Sequence, residues 1–372
     1  MAVTLRNRRW FRLLSHACRT ILALTFVLSG FVKSIDPWGT ALNVGNYLAA
    51  YGLESLGDYV MAFSIWLCGA ELMMGLMLLF KVRIRLISIF AICSMTFFTV
   101  LTLVSATLIP IEDCGCFGDF LKLTPWETFT KNAILWPMTV IVWWRYRPDR
   151  ILKMSRLEML LTVLFCSCSM GLGIYCYRHL PLLDFLPYRK GVNIAAAMEE
   201  ARTRTAEEKV VLVYRNRQNG RLREFSLDDT AWHNEEKWEW VETRVEDNPD
   251  HIEPTILEFN ILSLEGEVTD ALLSVEGALY LLCTDTLPVE DKECEMHLCA
   301  AVEQARNEGA AVVCLTSDSL PESGRTLLGG SCDVECYNVD AKTLKTILRA
   351  EAGLVILRDG VISEKLNWRD IE

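Results

Sequence analysis

Long apolar runs, separated by short charged segments, dominate the first half of the 372-residue chain. A membrane-spanning helix needs about 20 mostly apolar residues, because each residue adds about 1.5 Å against a hydrocarbon core of about 30 Å. Three runs reach this length, at residues 59–80, 86–111 and 159–177, and the first is interrupted only by Glu71. The pattern therefore predicts three membrane-spanning helices.

Two shorter apolar runs, residues 20–32 and 132–144, also indicate spanning helices. Each has basic residues at both ends, and long basic side chains can reach the membrane surface from such positions. The second run has its own start signal, because Thr124, Pro125 and Glu127 have the spacing of a capping box with proline at the first helical position. We therefore expect a helix from about residue 125 to residue 146.

The positions of the basic residues support five spans. Thirteen lysines and arginines lie before the first helix, between the second and third, and between the fourth and fifth, whereas residues 34–58 and 112–130 contain only Lys122. Cytoplasmic loops of membrane proteins are enriched in basic residues. The pattern predicts a basic cytoplasmic N-terminus (residues 1–15) and an extracytoplasmic C-terminal half. A cleaved signal peptide is the alternative for the N-terminus, but no small-x-small cleavage site follows Val27, and Phe31, Val32 and Lys33 stand where one is expected.

The second half of the chain has the character of a soluble domain. Residues 1–178 carry a net charge of +7, whereas residues 179–372 carry −18. This acidic surface argues against a nucleic-acid partner, since phosphate binding needs clustered positive charge. We expect an extracytoplasmic linking region at 179–258, with a β-hairpin around Asn219 and Gly220. A Trp-rich stretch at 228–251 is interpreted as loop and helix.

Residues 259–372 show a periodic order of elements. Strand–helix–strand is followed by strand–helix–hairpin, with the closing turn at Asp359 and Gly360. This order predicts an α/β thioredoxin-like domain after the membrane α-helical bundle. The closing segment, residues 352–372, is similar to the last hairpin and helix of thioredoxin-like proteins.

The dithiol expected of a thioredoxin fold is missing. Such a site needs Cys-x-x-Cys at the start of the helix after the first core strand, where the helix N-terminus lowers the thiol pKa. Here Cys283 ends that strand, Cys294 and Cys299 lie five apart inside the helix, and Ala352 stands where a cis-proline is expected. We therefore expect a domain that lacks this active site.

The other cysteines of this domain suggest structural roles. Cys332 with Cys336, or Cys294 with Cys299, are candidate disulfides, and the sequence leaves their connectivity open. Cys294, His297 and Cys299 with Cys283 match no familiar zinc spacing, so we expect no metal site.

The most distinctive motif is the pair Cys114 and Cys116, between the third and fourth predicted spans. A disulfide across so short a ring is strained, and strain makes it easier to reduce. Gly115 relieves part of the strain, and an extracytoplasmic position sustains oxidation. A redox-active pair is one interpretation. A static bridge, or two free thiols, is the other.

Glu71 is the second candidate site residue. It lies near the middle of a predicted span, where an unpaired charge costs several kcal/mol. It either contacts a proton path or a quinone, or it is a protonated group that hydrogen-bonds a neighbouring helix. We expect Lys33 to lie too near the membrane surface to reach Glu71, and to pair instead with Asp36, one turn later.

The Cys-x-Cys loop, residues 29–37 and the Lys131-Asn132 dipeptide together resemble DoxX/MauE-like membrane proteins, which include the methylamine utilisation MauE-type domain. The Cys-x-Cys-Phe-Gly motif of those proteins is matched from Cys114 to Gly118, and the similarity covers about residues 16–146. The resemblance implies a four-helix domain in a bacterial cytoplasmic (inner) membrane. Here a fifth helix, residues 157–178, joins it to the thioredoxin-like domain at 259–372.

The same resemblance implies periplasmic redox work, either disulfide maturation of a partner protein or quinone-linked sulfur oxidation. The corresponding function is thiol–disulfide exchange or electron transfer through Cys114 and Cys116, assisted by Glu71. The substrate side would be an extracytoplasmic protein, and the acceptor a molecule in the bilayer, with a quinone as the candidate cofactor. The alternative is a non-catalytic membrane anchor or assembly module that presents the acidic domain to a partner.

Overall fold

The computed structural model describes residues 8–108, 118–121, 123–147, 154–207, 210–217, 220–226, 229, 232, 237–245, 259–328 and 332–371. Its first part is helical. In chain order the helices are α1 (Arg9–Ile35), α2 (Pro37–Ala50), α3 (Val60–Phe80), α4 (Ile84–Thr107), α5 (Pro125–Tyr146) and α6 (Arg156–Arg178), with a 3₁₀ segment (Glu54–Tyr59) before α3.

Four of these helices are long and apolar enough to cross a membrane: α1, α4, α6, and α3 together with its 3₁₀ segment. Large apolar side chains point away from the bundle on these helices, among them Phe80, Phe90, Leu103, Leu157 and Leu160. Such a surface is suited to lipid rather than water. The chain is therefore an integral membrane protein, and a fifth span at α5 stays a prediction.

Local capping signals set the helix limits. α5 has the predicted bounds, and the predicted capping box forms its start. The Thr124 side chain accepts from the Glu127 amide, and the Glu127 carboxylate accepts from the Thr124 amide. The same reciprocal arrangement starts α6, at Ser155 and Glu158. Each box satisfies amides that the first helical turn leaves without partners.

The start of the chain differs from the prediction in two ways. α1 extends well beyond the run at 20–32, because the guanidinium of Arg19 donates to the carbonyls of Leu78 and Leu79 at 2.5 and 2.7 Å and so has partners inside the bundle. The segment 34–58 contains α2 and a 3₁₀ segment rather than loop alone. Asp36 caps α2 by accepting from the Gly39 amide at 2.9 Å.

A small antiparallel sheet follows α6, after an unpredicted helix α7 (Ile194–Glu207). Its strands are β1 (Val210–Asn216), β2 (Leu222–Ser226) and β3 (Trp238–Val245), in the order β2-β1-β3. The hairpin of β1 and β2 is confirmed. The prediction of loop and helix around β3 is wrong there, because Trp238 is 7% exposed against Phe225 while Trp240 is 59% exposed, which is the two-residue alternation of a strand.

The C-terminal region contains a six-stranded mixed sheet. Its elements are α8 (Thr269–Leu273), β4 (Ala278–Thr284), α9 (Lys292–Asn307), β5 (Ala311–Thr316), β6 (Arg325–Leu328), β7 (Cys332–Asn338), α10 (Ala341–Ile347), β8 (Ala352–Arg358) and β9 (Val361–Asn367). The strand order is β6-β7-β5-β4-β8-β9. β4, β5 and β7 run parallel, and the other pairings are antiparallel.

Each face of this sheet has its own apolar core. On β4, Leu279 and Leu281 pack with α7, α8 and α10, whereas Tyr280 and Leu282 pack with α9. A strand buried on both faces reads as a continuous apolar run. The β8–β9 hairpin turns at Asp359 and Gly360, where φ values of 50° and 75° give the tight turn that Asp-Gly favours.

A disulfide joins Cys299 of α9 to Cys332 of β7, with a Cα–Cα distance of 5.7 Å. Both candidate pairings from the sequence are therefore wrong. Cys332 and Cys336 lie four residues apart on one strand, about 13 Å along its axis. Cys294 and Cys299, five apart, point about 140° away from each other around the helix. The bond instead joins one member of each candidate pair.

Candidate functional site in the helix bundle

A buried ion pair links α1 to α3. Lys33 Nζ donates to Glu71 Oε2 at 2.7 Å, and the two side chains are 9% and 13% exposed. The expectation that Lys33 lies too shallow to reach Glu71 is therefore wrong. Because Glu71 already lies halfway along α3, the flexible lysine stem covers the remaining depth. Asp36 also has a partner of its own in Arg349, and the pairing between Lys33 and Asp36 stays a prediction.

Two glycines let α1 and α3 approach closely enough for this contact. A Cβ on Gly30, one turn before Lys33, would lie 2.6 Å from Leu72 Cα. A Cβ on Gly75, one turn after Glu71, would lie 2.5 Å from Val27 N. Helix crossings in membranes commonly place small residues at the point of closest approach. The glycines therefore set the distance between the helices that carry the pair.

The ion pair lies on the wall of a cavity of about 330 Å³ inside the bundle. Most of the lining is apolar, from Phe26, Val44, Leu48, Phe63, Leu67, Met95, Phe97, Phe98, Leu101 and Leu135. The polar lining includes Lys33, Thr40, Asn43, Tyr47, Glu71, Lys131 and Asn132. Cavities of this size with apolar walls and a few convergent polar groups are typical of small-molecule sites.

Among the charged groups of this lining, basic side chains predominate. Lys33 and Lys131 outnumber the single acid Glu71, so the lining carries one net positive charge. The Asn132 amide donates to Thr102 Oγ1 at 3.4 Å, which orients that side chain. The cavity can therefore hold an apolar molecule whose polar end accepts hydrogen bonds from ammonium or amide groups.

The turn between α1 and α2 connects the bundle to the six-stranded sheet. Asp36, which caps α2, also accepts from Arg349 Nε at 3.1 Å, and the Arg349 side chain is 4% exposed. Arg349 lies between α10 and β8. This contact joins residues 313 positions apart, and it attaches the sheet region to the helix end that carries Lys33.

Aromatic contacts strengthen the same junction. The Lys345 ammonium lies 4.0 Å from the ring centre of Trp38, and Trp38 stacks on Tyr177 of α6. The Tyr177 hydroxyl donates to Glu351 at 3.1 Å. Lys345 also donates to Asp285; burial lowers the pKa of Lys345, and the Asp285 carboxylate acts in the opposite direction. The sheet region thus rests on α2 and α6.

Replacement of Asp36 by asparagine is expected to loosen this junction while α2 stays capped, because asparagine caps a helix as well as aspartate does. Loss of the ion pair to Arg349 should raise amide exchange at residues 345–351 about tenfold or more, measured by hydrogen–deuterium exchange on the full chain. Asp36→Ala is the matched variant, and it should also raise exchange in the first turn of α2. Unchanged exchange at 345–351 in both variants would contradict the assignment.

Cys114 and Cys116, the predicted redox pair, lie outside the described residues. The nearest described neighbours are Gly118–Phe120, a single 3₁₀ turn. Gly118 has φ +54°, and a Cβ built on it would lie 3.8 Å from Val32 Cγ1. Gly118, two residues after Cys116 in the sequence, therefore lies beside Val32 of α1, the residue before Lys33.

The cysteines of the sheet region have the properties of buried structural groups. Burial raises the pKa of Cys283 and of Cys294 to about 12 each, so neither is a ready thiolate. Glu303 lies close to the Cys299–Cys332 disulfide, with its carboxylate and both sulfur atoms within 4.8 Å of one another. In the disulfide form these sulfurs are poor metal ligands.

Sequence reasoning missed most of the residues around Glu71. Thr40, Asn43 and Tyr47 belong to α2, which was not predicted, and only the assembled bundle brings Asn132 of α5 to the same cavity. The available signal was the Asp36-Pro37 dipeptide, an N-cap followed by proline, which marks the start of α2.

Comparison with known families gives a match in the first half of the chain. The family model described as methylamine utilisation protein MauE matches residues 11–145. No curated protein and no solved structure matches the chain. The matched segment runs from α1 to the end of α5, and it includes Lys33, Glu71 and every residue that lines the cavity. Residues 11–145 therefore form a MauE-type domain with membrane-length apolar helices.

Proposed function

We propose that the chain is a thiol–disulfide oxidoreductase of the bacterial cytoplasmic membrane, with Cys114 and Cys116 as its extracytoplasmic redox pair. The observation that carries the proposal is the junction beside Val32. There the turn after the Cys-x-Cys motif lies beside Val32 of α1, the residue before Lys33, and Lys33 forms the ion pair in the wall of the apolar cavity. A donor of electrons and a site for a membrane acceptor would then be neighbours.

The proposed reaction has two balanced halves. A substrate protein with two thiols reduces the Cys114–Cys116 disulfide, so the substrate gains a disulfide and the chain gains two thiols. The two thiols are then reoxidised, and two electrons and two protons pass to the acceptor. A quinone in the cavity would supply the chemistry of accepting them. Lys33, Lys131 and Asn132 are among the lining residues with donors that would hold a carbonyl oxygen there, and Glu71 has a carboxylate that can take a proton.

The distribution of charge supports the orientation used in this proposal. Basic residues flank the other end of the bundle, including Arg12 and Arg19 of α1 and Arg83 and Arg85 at the start of α4. The sheet region contacts the opposite end, through Asp36. With the basic end in the cytoplasm, the sheet region and the Cys-x-Cys motif lie on the oxidising side.

We also propose that the sheet region is a thioredoxin-like domain without the dithiol. The supporting features are the parallel β4–α9–β5 unit, the antiparallel β8–β9 hairpin after α10, and the strand order β5-β4-β8-β9. The raised thiol pKa values of Cys283 and Cys294 agree with a domain that positions or binds rather than reacts. Its docking on Asp36 would hold it beside the redox pair.

Replacement of Cys114 and Cys116 by alanine is expected to reduce the extracytoplasmic oxidation of substrate thiols at least about tenfold, because the exchanging sulfurs are removed. The measurement is alkylation trapping of free thiols in intact cells, with and without a respiratory inhibitor. It reports the thiols of extracytoplasmic proteins in both chains, and those of Cys114 and Cys116 in the unmodified chain. In the unmodified chain, the inhibitor should convert this pair to thiols.

The chain offers a matched control in a second Cys-x-Cys pair, Cys166 and Cys168 of α6. These residues have the same spacing, but a helix turns their side chains about 200° apart, so they cannot form a disulfide with each other. Their double alanine variant should keep full activity. If Cys114 and Cys116 stay in one oxidation state under all conditions, the anchor or assembly function is favoured instead.

A further inference from the structure

We propose that Cys314 and Cys336 form a second disulfide in the sheet region, across the parallel strands β5 and β7. The proposal rests on the extracytoplasmic location given above, because only an oxidising compartment sustains such a bond. It concerns two cysteines that take no part in the proposed reaction of Cys114 and Cys116.

The strand register brings the two residues face to face. Cys314 of β5 and Cys336 of β7 are direct partners in the ladder. Adjacent strands lie about 4.8 Å apart, and a disulfide accepts Cα–Cα distances of about 4.4–6.8 Å. The typical Cα–Cα separation of such direct partners therefore lies within the range of a disulfide.

The side chains point to the same side of the sheet. Both pack in the apolar core under α9, at 1% and 2% exposure, and the neighbouring Cys336 thiol raises the pKa of Cys314. Cys283 lies in the core on the opposite face, so it does not compete for either sulfur. Among the described cysteines of this core, Cys299 and Cys332 are already joined.

The bond would hold one strand at two points. Cys332, at the start of β7, connects that strand to α9, and Cys336, four residues later, would connect it to β5. β7 pairs with β5 over four residues, and β6 lies at the edge beyond it. A second crosslink would therefore secure the edge of the sheet farthest from the β8–β9 hairpin.

The oxidation is an ordinary thiol–disulfide exchange. The thiols of Cys314 and Cys336 together lose two protons and two electrons. A disulfide of the extracytoplasmic compartment, in a protein or a small molecule, accepts them and becomes two thiols. Because both sulfurs are buried in the folded sheet, exchange takes place while β7 is open, and the finished bond is shielded from reductants.

The test is peptide mass spectrometry on the full chain, isolated from membranes after acid quenching and alkylation under denaturing, non-reducing conditions. The expected result is a crosslinked peptide for Cys314–Cys336 beside one for Cys299–Cys332. Crosslinked Cys299–Cys332 with alkylated Cys314 and Cys336 would overturn this proposal and leave the location intact. Four alkylated cysteines would overturn the location, and this proposal with it.

A second measurement does not depend on recovering peptides. Under non-reducing conditions, Cys314→Ala and Cys336→Ala should each lower the thermal midpoint by about 5 °C or more, and the double variant should lower it no further than either single variant. Such non-additivity is expected when both substitutions remove the same bond. Equal shifts that add in the double variant would overturn the proposal.

Discussion

Substitution of methionine for Lys33 is expected to destabilise the helix bundle by about 3–5 kcal/mol, because the Glu71 carboxylate then loses its partner inside the bundle. The measurement is the thermal midpoint of the full chain in detergent. It is the temperature at which half of the monodisperse peak in gel filtration is lost. Glu71→Gln should have a smaller effect, because the glutamine amide oxygen can still accept a hydrogen bond from the Lys33 ammonium.

The double variant Lys33→Met, Glu71→Met separates structure from function. Replacement of a buried ion pair by apolar residues of similar size is often neutral or stabilising, so we expect the midpoint to recover. Oxidation of Cys114 and Cys116 in cells should stay impaired, because the donor and the carboxylate are both missing from the cavity. A double variant with full activity would show that the pair only joins α1 to α3.

Gly30→Ala is the second substitution for which we expect a large loss of stability and of redox activity. The new methyl group would lie 2.6 Å from Leu72 Cα, and helix backbone cannot yield as a flexible side chain does. α1 and α3 must separate, at a cost of about 1–3 kcal/mol or more. The separation should also lengthen the Lys33–Glu71 contact, so both the thermal midpoint and the redox activity should fall.

Gly171→Ala in α6 is the matched control. A Cβ at Gly171 would meet no atom within 4 Å, so the substitution adds a methyl group without a clash. Alanine is the better helix former, and we expect no loss of stability. Gly75→Ala should resemble Gly30→Ala, because its Cβ would lie 2.5 Å from Val27 N. If Gly30→Ala and Gly171→Ala have the same thermal midpoint, the close approach of α1 and α3 at Gly30 does not limit the stability of the bundle.

Features that depend on residues close together in the sequence could be predicted. The capping box at Thr124 set the start of α5, and Asp359-Gly360 predicted the turn of the last hairpin. In the same way the length of the apolar runs predicted α3, α4 and α6. Capping, turn geometry and membrane crossing act within one segment, so the local pattern contains the information that they need.

Other elements were missed because long-range packing stabilises them. β3 has the composition of a polar loop, and its strand form depends on pairing with β1 and on the contact of Trp238 with Phe225. β6 is four residues long and is held only through β7 among the described strands. Strand propensity depends on the neighbouring strand more than helix propensity depends on context.

The amino-acid sequence by itself determined that this protein crosses a membrane, where most of its helices lie, and that an acidic sheet region follows them. Each of these properties is a sum over contiguous residues. Only the tertiary structure decided that Lys33 meets Glu71, that α2 closes a cavity beside them, that Arg349 reaches Asp36, and that Cys299 bonds Cys332. Those contacts join distant parts of the chain, and they follow from which helices and strands pack together rather than from any local pattern.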